Sequence, residues 1–166
     1  MRFRLVLMLI TIIVLLSGCN EQELDVNQVM KDSKIQYEYI IHTKEIPERN
    51  LALVFYKQQE MYGLGLLEKK NSWKWLVGST KPIEELEMSM VYNNLDQKAP
   101  MAFGVINNLS IDSVKIEIKG EKKIAEIIET PDEKRLWYVL FDEPQNPPIE
   151  VYGYDKNGEI VFSTAS

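Results

Sequence analysis

Short segments in which apolar and polar residues alternate one by one recur along most of this 166-residue chain. The alternation is clearest at 35–42 and 113–119. A period of two places successive side chains on opposite faces of an extended backbone, so each segment predicts a half-buried β-strand. Clusters of Asn, Asp, Gly and Pro separate these segments at intervals of roughly 8 to 12 residues. The pattern predicts a mainly β protein whose antiparallel sheets form a sandwich or an open barrel.

The predicted strands fall into two groups on either side of a polar stretch that runs from Asn93 to Pro100. We expect a β-rich N-terminal half over 35–98 and a sandwich-like C-terminal half over 99–166. The first half contains strands at 35–42, 51–56, 61–68 and 73–80. The second half contains strands at 101–106, 114–118, 123–130, 136–141, 149–154 and 159–163.

The hairpin of 61–68 and 73–80 holds two of the three tryptophans. If its tip is at Lys70 and Asn71, Leu66 pairs with Trp75 and Leu64 with Val77, and both tryptophans join the leucines on the core face. A shift of one residue gives a different arrangement, in which aromatic rings lie over bare backbone. The glycines that would receive the rings are Gly63 and Gly65.

One short helix is predicted over 83–92. Pro82 suits the first turn of a helix, and Glu84 and Glu85 complement the positive end of its dipole. The alternation of Leu86, Met88, Met90 and Tyr92 with more polar residues favours a strand instead, and this alternative stays open.

The first sixteen residues have the layout of a secretory leader. Arg2 and Arg4 precede twelve residues, 5–16, that are apolar apart from Thr11. A helix of that length rises about 18 Å, whereas the hydrocarbon core of a bilayer is about 30 Å thick. The segment therefore predicts a cleaved signal peptide rather than a membrane-spanning helix.

Leu16, Ser17, Gly18 and Cys19 follow the apolar run, and Cys19 is the only cysteine in the chain. This sequence resembles the lipobox of bacterial lipoproteins. The resemblance implies that 1–18 is a lipoprotein signal peptide, that Cys19 receives a diacylglycerol, and that cleavage makes Cys19 the first residue. It also implies a lipid-anchored protein at the extracytoplasmic face of the cell membrane. The polar segment 19–34 is then expected to tether the lipid to the folded body.

The charge of the mature chain limits its partners. The formal net charge is -6, and the two arginines of the leader carry +2 with no acid beside them, so the mature chain carries -8. A body this acidic lacks the basic surface that nucleic acid requires. We expect it to contact the membrane through the lipid on Cys19, and to have an envelope protein or polysaccharide as partner.

The C-terminal half is similar to a layout found in short lipoproteins of low-GC spore-forming bacteria. In that layout a strand with Gly and an apolar pair precedes an alternating strand, a strand with Trp and a terminal hairpin. The matching residues are Gly104, Val105, Ile106, Val114 to Ile118, Trp137, Tyr154, Asp155 and Gly158. The resemblance implies location and fold but no activity.

No catalytic, cofactor-binding or metal-binding residue is predicted. The chain has one His, His42, and one Cys, and it lacks a nucleophile elbow and a phosphate-binding loop. Asp155, Asn157 and Glu159 resemble part of a calcium loop, but a hairpin turn explains them. Acid pairs such as Glu84 with Glu85, or Asp142 with Glu143, carry little information among 25 acidic residues.

Aromatic residues are the remaining candidates for recognition. We expect Trp73, Trp75 and Trp137 to be buried, and we expect Tyr152 and Tyr154 to lie on an outer face and to be more exposed than the tryptophans. These observations favour a non-enzymatic binding or accessory lipoprotein of the cell envelope. Two alternatives remain, an enzyme that acts on an envelope glycan through an acid pair and an inhibitor or immunity lipoprotein.

Overall fold

The computed structural model describes residues 23–82, 91–93, 98–146 and 148–165. Within these ranges the α-helix is α1 (Val26–Asp32), and a 3₁₀ turn spans Pro47–Arg49. Twelve strands follow in chain order: β1 (Tyr39–Ile46), β2 (Leu51–Gln58), β3 (Met61–Lys69), β4 (Trp73–Pro82), β5 (Val91–Asn93), β6 (Met101–Ile106), β7 (Ser113–Ile118), β8 (Glu121–Ile124), β9 (Glu126–Glu129), β10 (Arg135–Leu140), β11 (Glu150–Tyr154) and β12 (Ile160–Ser163).

These strands form three open antiparallel sheets of four strands each. Sheet A has the order β1-β2-β3-β4, sheet B the order β5-β6-β10-β9, and sheet C the order β12-β11-β7-β8. The prediction of a mainly β protein with antiparallel sheets is confirmed, and none of the three sheets closes into a barrel. The expected division at residue 98 remains a prediction, although β5 pairs with β6 in sheet B.

Sheet B lies between the other two sheets. One buried cluster joins the inner face of sheet A to one face of sheet B, and it includes Leu53, Phe55, Phe103, Leu136 and Tyr138. A second cluster joins the opposite face of sheet B to sheet C through Ile106, Trp137, Val139, Ile116 and Val151. All six residues of β6 are buried as a result. A continuous apolar strand is what burial on both faces requires.

Helix α1 covers the outer face of sheet A. Asp25 caps its first turn by accepting a hydrogen bond from the backbone N–H of Gln28 at 3.0 Å. Val29 and Met30 point inward and are buried with Ala52, Val54 and other residues of sheet A. This stretch was expected to be part of a polar tether over 19–34. Residues 26–32 of that segment form α1 and pack on sheet A, because Val29 and Met30 meet the hydrophobic outer face of the sheet.

The β3–β4 hairpin corrects the predicted register. Leu66 pairs with Val77, but Leu67 rather than Leu66 pairs with Trp75, because Leu76 forms a bulge. The bulge moves Trp73 and Trp75 to the outer face of sheet A, whereas Leu64 and Leu66 face sheet B. The expectation of one shared core face was therefore wrong.

The ring of Trp75 lies over the backbone of Gly65 and Gly78, where any Cβ would overlap it. The ring of Tyr56 lies over Gly63 in the same way and meets the Trp75 ring at 67°. This is the alternative in which glycines receive aromatic rings, reached through a bulge. Trp73 and Trp137 are buried, as expected, and Trp75 is partly exposed.

Two further predictions need correction. The strand expected over 123–130 is divided at Ala125, so that β8 pairs in sheet C and β9 pairs in sheet B. The predicted end of the helix expected over 83–92 is wrong, because Val91 and Tyr92 belong to strand β5. Residues 83–90 lie outside the described part of the chain.

Helix α1 provides a direct test of this packing. The side chain of Met30 is fully buried against sheet A, so Met30→Ala should lower the free energy of unfolding by about 2 to 5 kcal/mol. Lys31, the next residue, is exposed, and Lys31→Ala should change the free energy of unfolding by less than about 0.5 kcal/mol. Chemical denaturation of the chain without residues 1–22 measures both. Equal midpoints for the two variants would mean that α1 does not pack on sheet A.

Candidate functional site

The outer face of sheet C lies outside all three buried clusters of the described residues. The pleat turns Val114, Ile116 and Val151 toward sheet B, and it therefore turns their neighbours in β7 and β11 outward. The outward side chains of β7 and β11 include Lys115, Glu117, Glu150, Tyr152 and Tyr154. Sequence alternation places both tyrosines on this outer face, and Tyr152 is partly exposed. The expected exposure of Tyr154 is wrong, because neighbouring side chains leave this residue only 9% exposed.

Two tyrosine rings occupy the middle of this face, with their centroids 6.5 Å apart. Lys115 Nζ lies 4.4 Å from the centre of the Tyr154 ring, and Lys122 Nζ lies 5.2 Å from the centre of the Tyr152 ring. The Tyr152 hydroxyl donates a hydrogen bond to Glu150 Oε2 at 2.6 Å. That hydrogen bond is the main reason why the pKa of Tyr152 is raised to about 12.

Exposed aliphatic side chains flank the tyrosines at both edges of sheet C. Ile124 in β8 is 72% exposed, and Ile160 in β12 is 55% exposed. Ile160 pairs with Tyr154, and Ile124 pairs with Lys115, which places both isoleucines on the outer face. The face thus combines aromatic rings, aliphatic groups and a balanced set of charges, which is a composition found at the centre and rim of binding surfaces.

A polar cluster that the sequence did not reveal joins sheet A to the β9–β10 turn. The Tyr62 hydroxyl donates to Asp132 Oδ2 at 2.6 Å, and Lys57 Nζ donates to the same oxygen at 3.2 Å. Thr130 Oγ1 donates to Asp132 Oδ1 at 2.6 Å. Lys57 and Tyr62 are buried, and Lys57 Nζ lies 4.3 Å from the centre of the Tyr62 ring.

A second cluster of the same composition lies between β1 and sheet B. The Tyr138 hydroxyl donates to Glu126 Oε2 at 2.6 Å, and Lys44 Nζ lies 3.3 Å from the same oxygen. Both clusters therefore pair one tyrosine, one carboxylate and one lysine across the boundary between sheets A and B. Each tyrosine and each lysine lies in a β-strand, where the alternation of the sequence predicts which face of the sheet it is on. The alternation does not predict which carboxylate it contacts.

The chemistry of both carboxylates is fixed by their hydrogen bonds. Burial opposes ionisation of Asp132, but the hydrogen bonds from Thr130, Tyr62 and Lys57 lower its pKa to about 2. The hydrogen bond from Tyr138 lowers the pKa of Glu126. Desolvation, together with these carboxylates, raises the pKa of Tyr62 and of Tyr138. At neutral pH each cluster consists of an ionised carboxylate and a protonated phenol, which suits cross-linking of the two sheets.

A shallow cleft of about 280 Å³ lies beside sheet C, between Lys119, Glu121 and Lys123 and the loop that carries Asp142, Glu143 and Gln145. The loop is fixed by Arg49, which donates to the Phe141 carbonyl at 3.1 Å and to Asp142 Oδ1 at 2.9 Å. Asp142 also lies 3.7 Å from Lys123. Asp142 and Glu143 thus lie in one loop, but Asp142 is engaged by two cations.

The remaining residues that the sequence singled out lie apart from these features. His42 is exposed in β1. Asp155 Oδ1 accepts hydrogen bonds from the backbone N–H groups of Asn157 and Glu159 at 2.9 and 2.8 Å, which is a hairpin turn. No group of residues able to hold a metal ion occurs in the described part of the chain. Cys19, Glu84 and Glu85 lie outside it.

In the described ranges, no helix is both long and apolar enough to cross a bilayer. Comparison of the chain with protein-family models, with curated proteins and with solved structures gave no match.

The Asp132 cluster generates a prediction about pH. Because the pKa of Asp132 is about 2 in the folded chain and 3.8 without neighbours, its ionised form stabilises the fold above about pH 4, and this contribution is lost as the pH falls toward 2. Asp132→Asn should lower the free energy of unfolding at pH 7 by about 1 to 3 kcal/mol, since Lys57 loses its carboxylate. Below pH 4 the free energy of unfolding should also fall less steeply with decreasing pH in this variant than in the wild type.

Unfolding midpoints measured from pH 7 to pH 2 test this expectation. Glu143→Gln makes the same chemical change at an exposed position and serves as the control. A variant Asp132→Asn that keeps the wild-type pH profile would refute the assignment.

Proposed function

We propose that this chain is a lipid-anchored binding or accessory module at the extracytoplasmic face of the cell membrane. Its anchor is the lipid on Cys19, and its binding surface is the outer face of sheet C. The observation that carries the proposal is the contrast between the sheet faces. Helix α1 packs on the outer face of sheet A, and β6 and β10 of sheet B are buried on both faces, whereas the outer face of sheet C presents Ile124, Ile160 and the partly exposed Tyr152.

The chemistry of this face supports a protein or polysaccharide of the envelope as partner. Tyrosine rings provide large contact areas at a low cost in side-chain entropy, and their hydroxyls can still form hydrogen bonds. Lys115 and Lys122 are balanced by Glu117 and Glu150, so the face does not favour a polyanion such as nucleic acid.

The polar clusters support a function without catalysis. A glycan-acting enzyme of the usual kind needs one carboxyl group with a raised pKa as its general acid. Asp132 and Glu126 instead have lowered pKa values, and each is hydrogen-bonded to a tyrosine and a lysine. Their hydrogen bonds hold sheets A and B together rather than leaving a carboxyl group open to a substrate.

Lipid attachment can be tested by metabolic labelling. Cells grown with a fatty acid analogue should label the wild-type chain and release it from membranes only with detergent. Cys19→Ala should lose the label, because no other cysteine is present. Equal labelling of the two proteins would refute lipid attachment at Cys19.

Binding through sheet C can be tested with a photo-crosslinking residue placed at single positions in living cells. Position 160 should give a discrete adduct, and the adduct should weaken several-fold when Tyr152 is replaced by Ala. Gln28, exposed on α1, provides the matched control position and should give no such adduct. Adducts at position 28 but not at position 160 or 124 would place the partner on α1 rather than on sheet C and would overturn the proposal.

A further inference from the structure

The docking of α1 shortens the chain that connects Cys19 to the folded body. If all of 19–34 were an extended tether, it would reach about 50 Å. Leu24, next to Glu23, already packs against the cluster that α1 forms with sheet A, and α1 is capped by Asp25 and buried at Val29 and Met30. Only three residues lie between Cys19 and Glu23, and the four Cα–Cα steps give a reach of at most about 14 Å.

The short connection begins at a defined side of the molecule. Residues 23–27 line a surface depression together with Ile40 and Thr43 of β1. The Tyr37 hydroxyl fixes this end of α1 by donating to Asn27 Oδ1 at 2.7 Å. The connection to Cys19 therefore leaves the body on the outer side of sheet A. Sheet C lies two layers away on the opposite side, about 20 Å beyond sheet A.

Given the lipid anchor proposed above, we infer that the lipid bilayer is the surface against which the α1 side of the body rests, and that the outer face of sheet C points away from it. A connection of at most about 14 Å is shorter than the body is thick, so it restricts rotation of the body relative to the membrane. The tyrosine face is thereby presented to the envelope rather than to lipid.

The sequence makes a clean test possible. Cys19 is the only cysteine and is occupied by lipid in the mature protein, so an introduced cysteine is the sole free thiol. Lys31 on α1 and Lys156 in the β11–β12 turn are both exposed. Lys31→Cys and Lys156→Cys are the same substitution on opposite layers of the body. Each lipidated full chain is labelled with a donor dye and reconstituted into phospholipid vesicles that carry an acceptor on the headgroups.

Energy transfer to the headgroups should be at least about twofold more efficient from position 31 than from position 156. Sheets A and B lie between α1 and sheet C, and each adds about 10 Å to the distance of position 156 from the membrane. Equal transfer, or stronger transfer from 156, would overturn the inferred orientation. Insertion of twelve Gly and Ser residues after Gln22 adds a flexible reach of about 19 Å and should remove most of the difference. A difference that persists with the longer connection would show that connection length does not set the orientation.

The same preparation separates this inference from the proposed anchor. Protein that fails to float with the vesicles would overturn the anchor and the orientation together. Protein that floats but transfers equally from both positions would overturn the orientation alone.

Discussion

Burial of sheet B on both faces is the constraint on which the rest of the structure depends. β6 has no exposed residue, and neighbouring residues of β10 point in opposite directions, with Tyr138 toward sheet A and Trp137 toward sheet C. A strand buried on both faces cannot be stable alone, because its apolar side chains need a partner on each side. Sheets A and C are those partners, and they bury their own inner faces on the same strands.

The polar residues then determine how the layers are held and which surfaces remain available. Two tyrosine–carboxylate–lysine clusters join sheet A to sheet B, and Arg49 joins the β1–β2 connection to the loop after β10. The carboxylates in these clusters are used for cross-linking between layers. The outer face of sheet C has no covering layer and carries Ile124, Ile160 and the partly exposed Tyr152, and the functional proposal follows from that placement.

Alternation in the sequence predicted most strands, the antiparallel class and the face on which Tyr152 and Tyr154 lie, because side-chain period is a local property. It did not predict that the side chains around Tyr154 bury this residue. It could not predict the bulge at Leu76. The extra residue in β4 moves Trp73 and Trp75 from the expected core face to the outer face of sheet A. Alternation also could not predict that Lys57, Tyr62 and Asp132 meet, since they come from separate strands and a turn that only tertiary packing brings together. The apolar pair in α1 was too sparse to distinguish a docked helix from a tether.

Hydrogen exchange followed strand by strand in wild type and in Phe103→Ala tests the central role of sheet B most directly. Phe103 is fully buried and faces sheet A, so its truncation should cost about 3 to 5 kcal/mol. If sheet B unites the layers into one cooperative unit, the slowest amides of β2, β6 and β11 lose the same opening free energy, including those of β11 on the far side. Amides of β11 that keep their wild-type protection while β2 and β6 lose theirs would contradict this account.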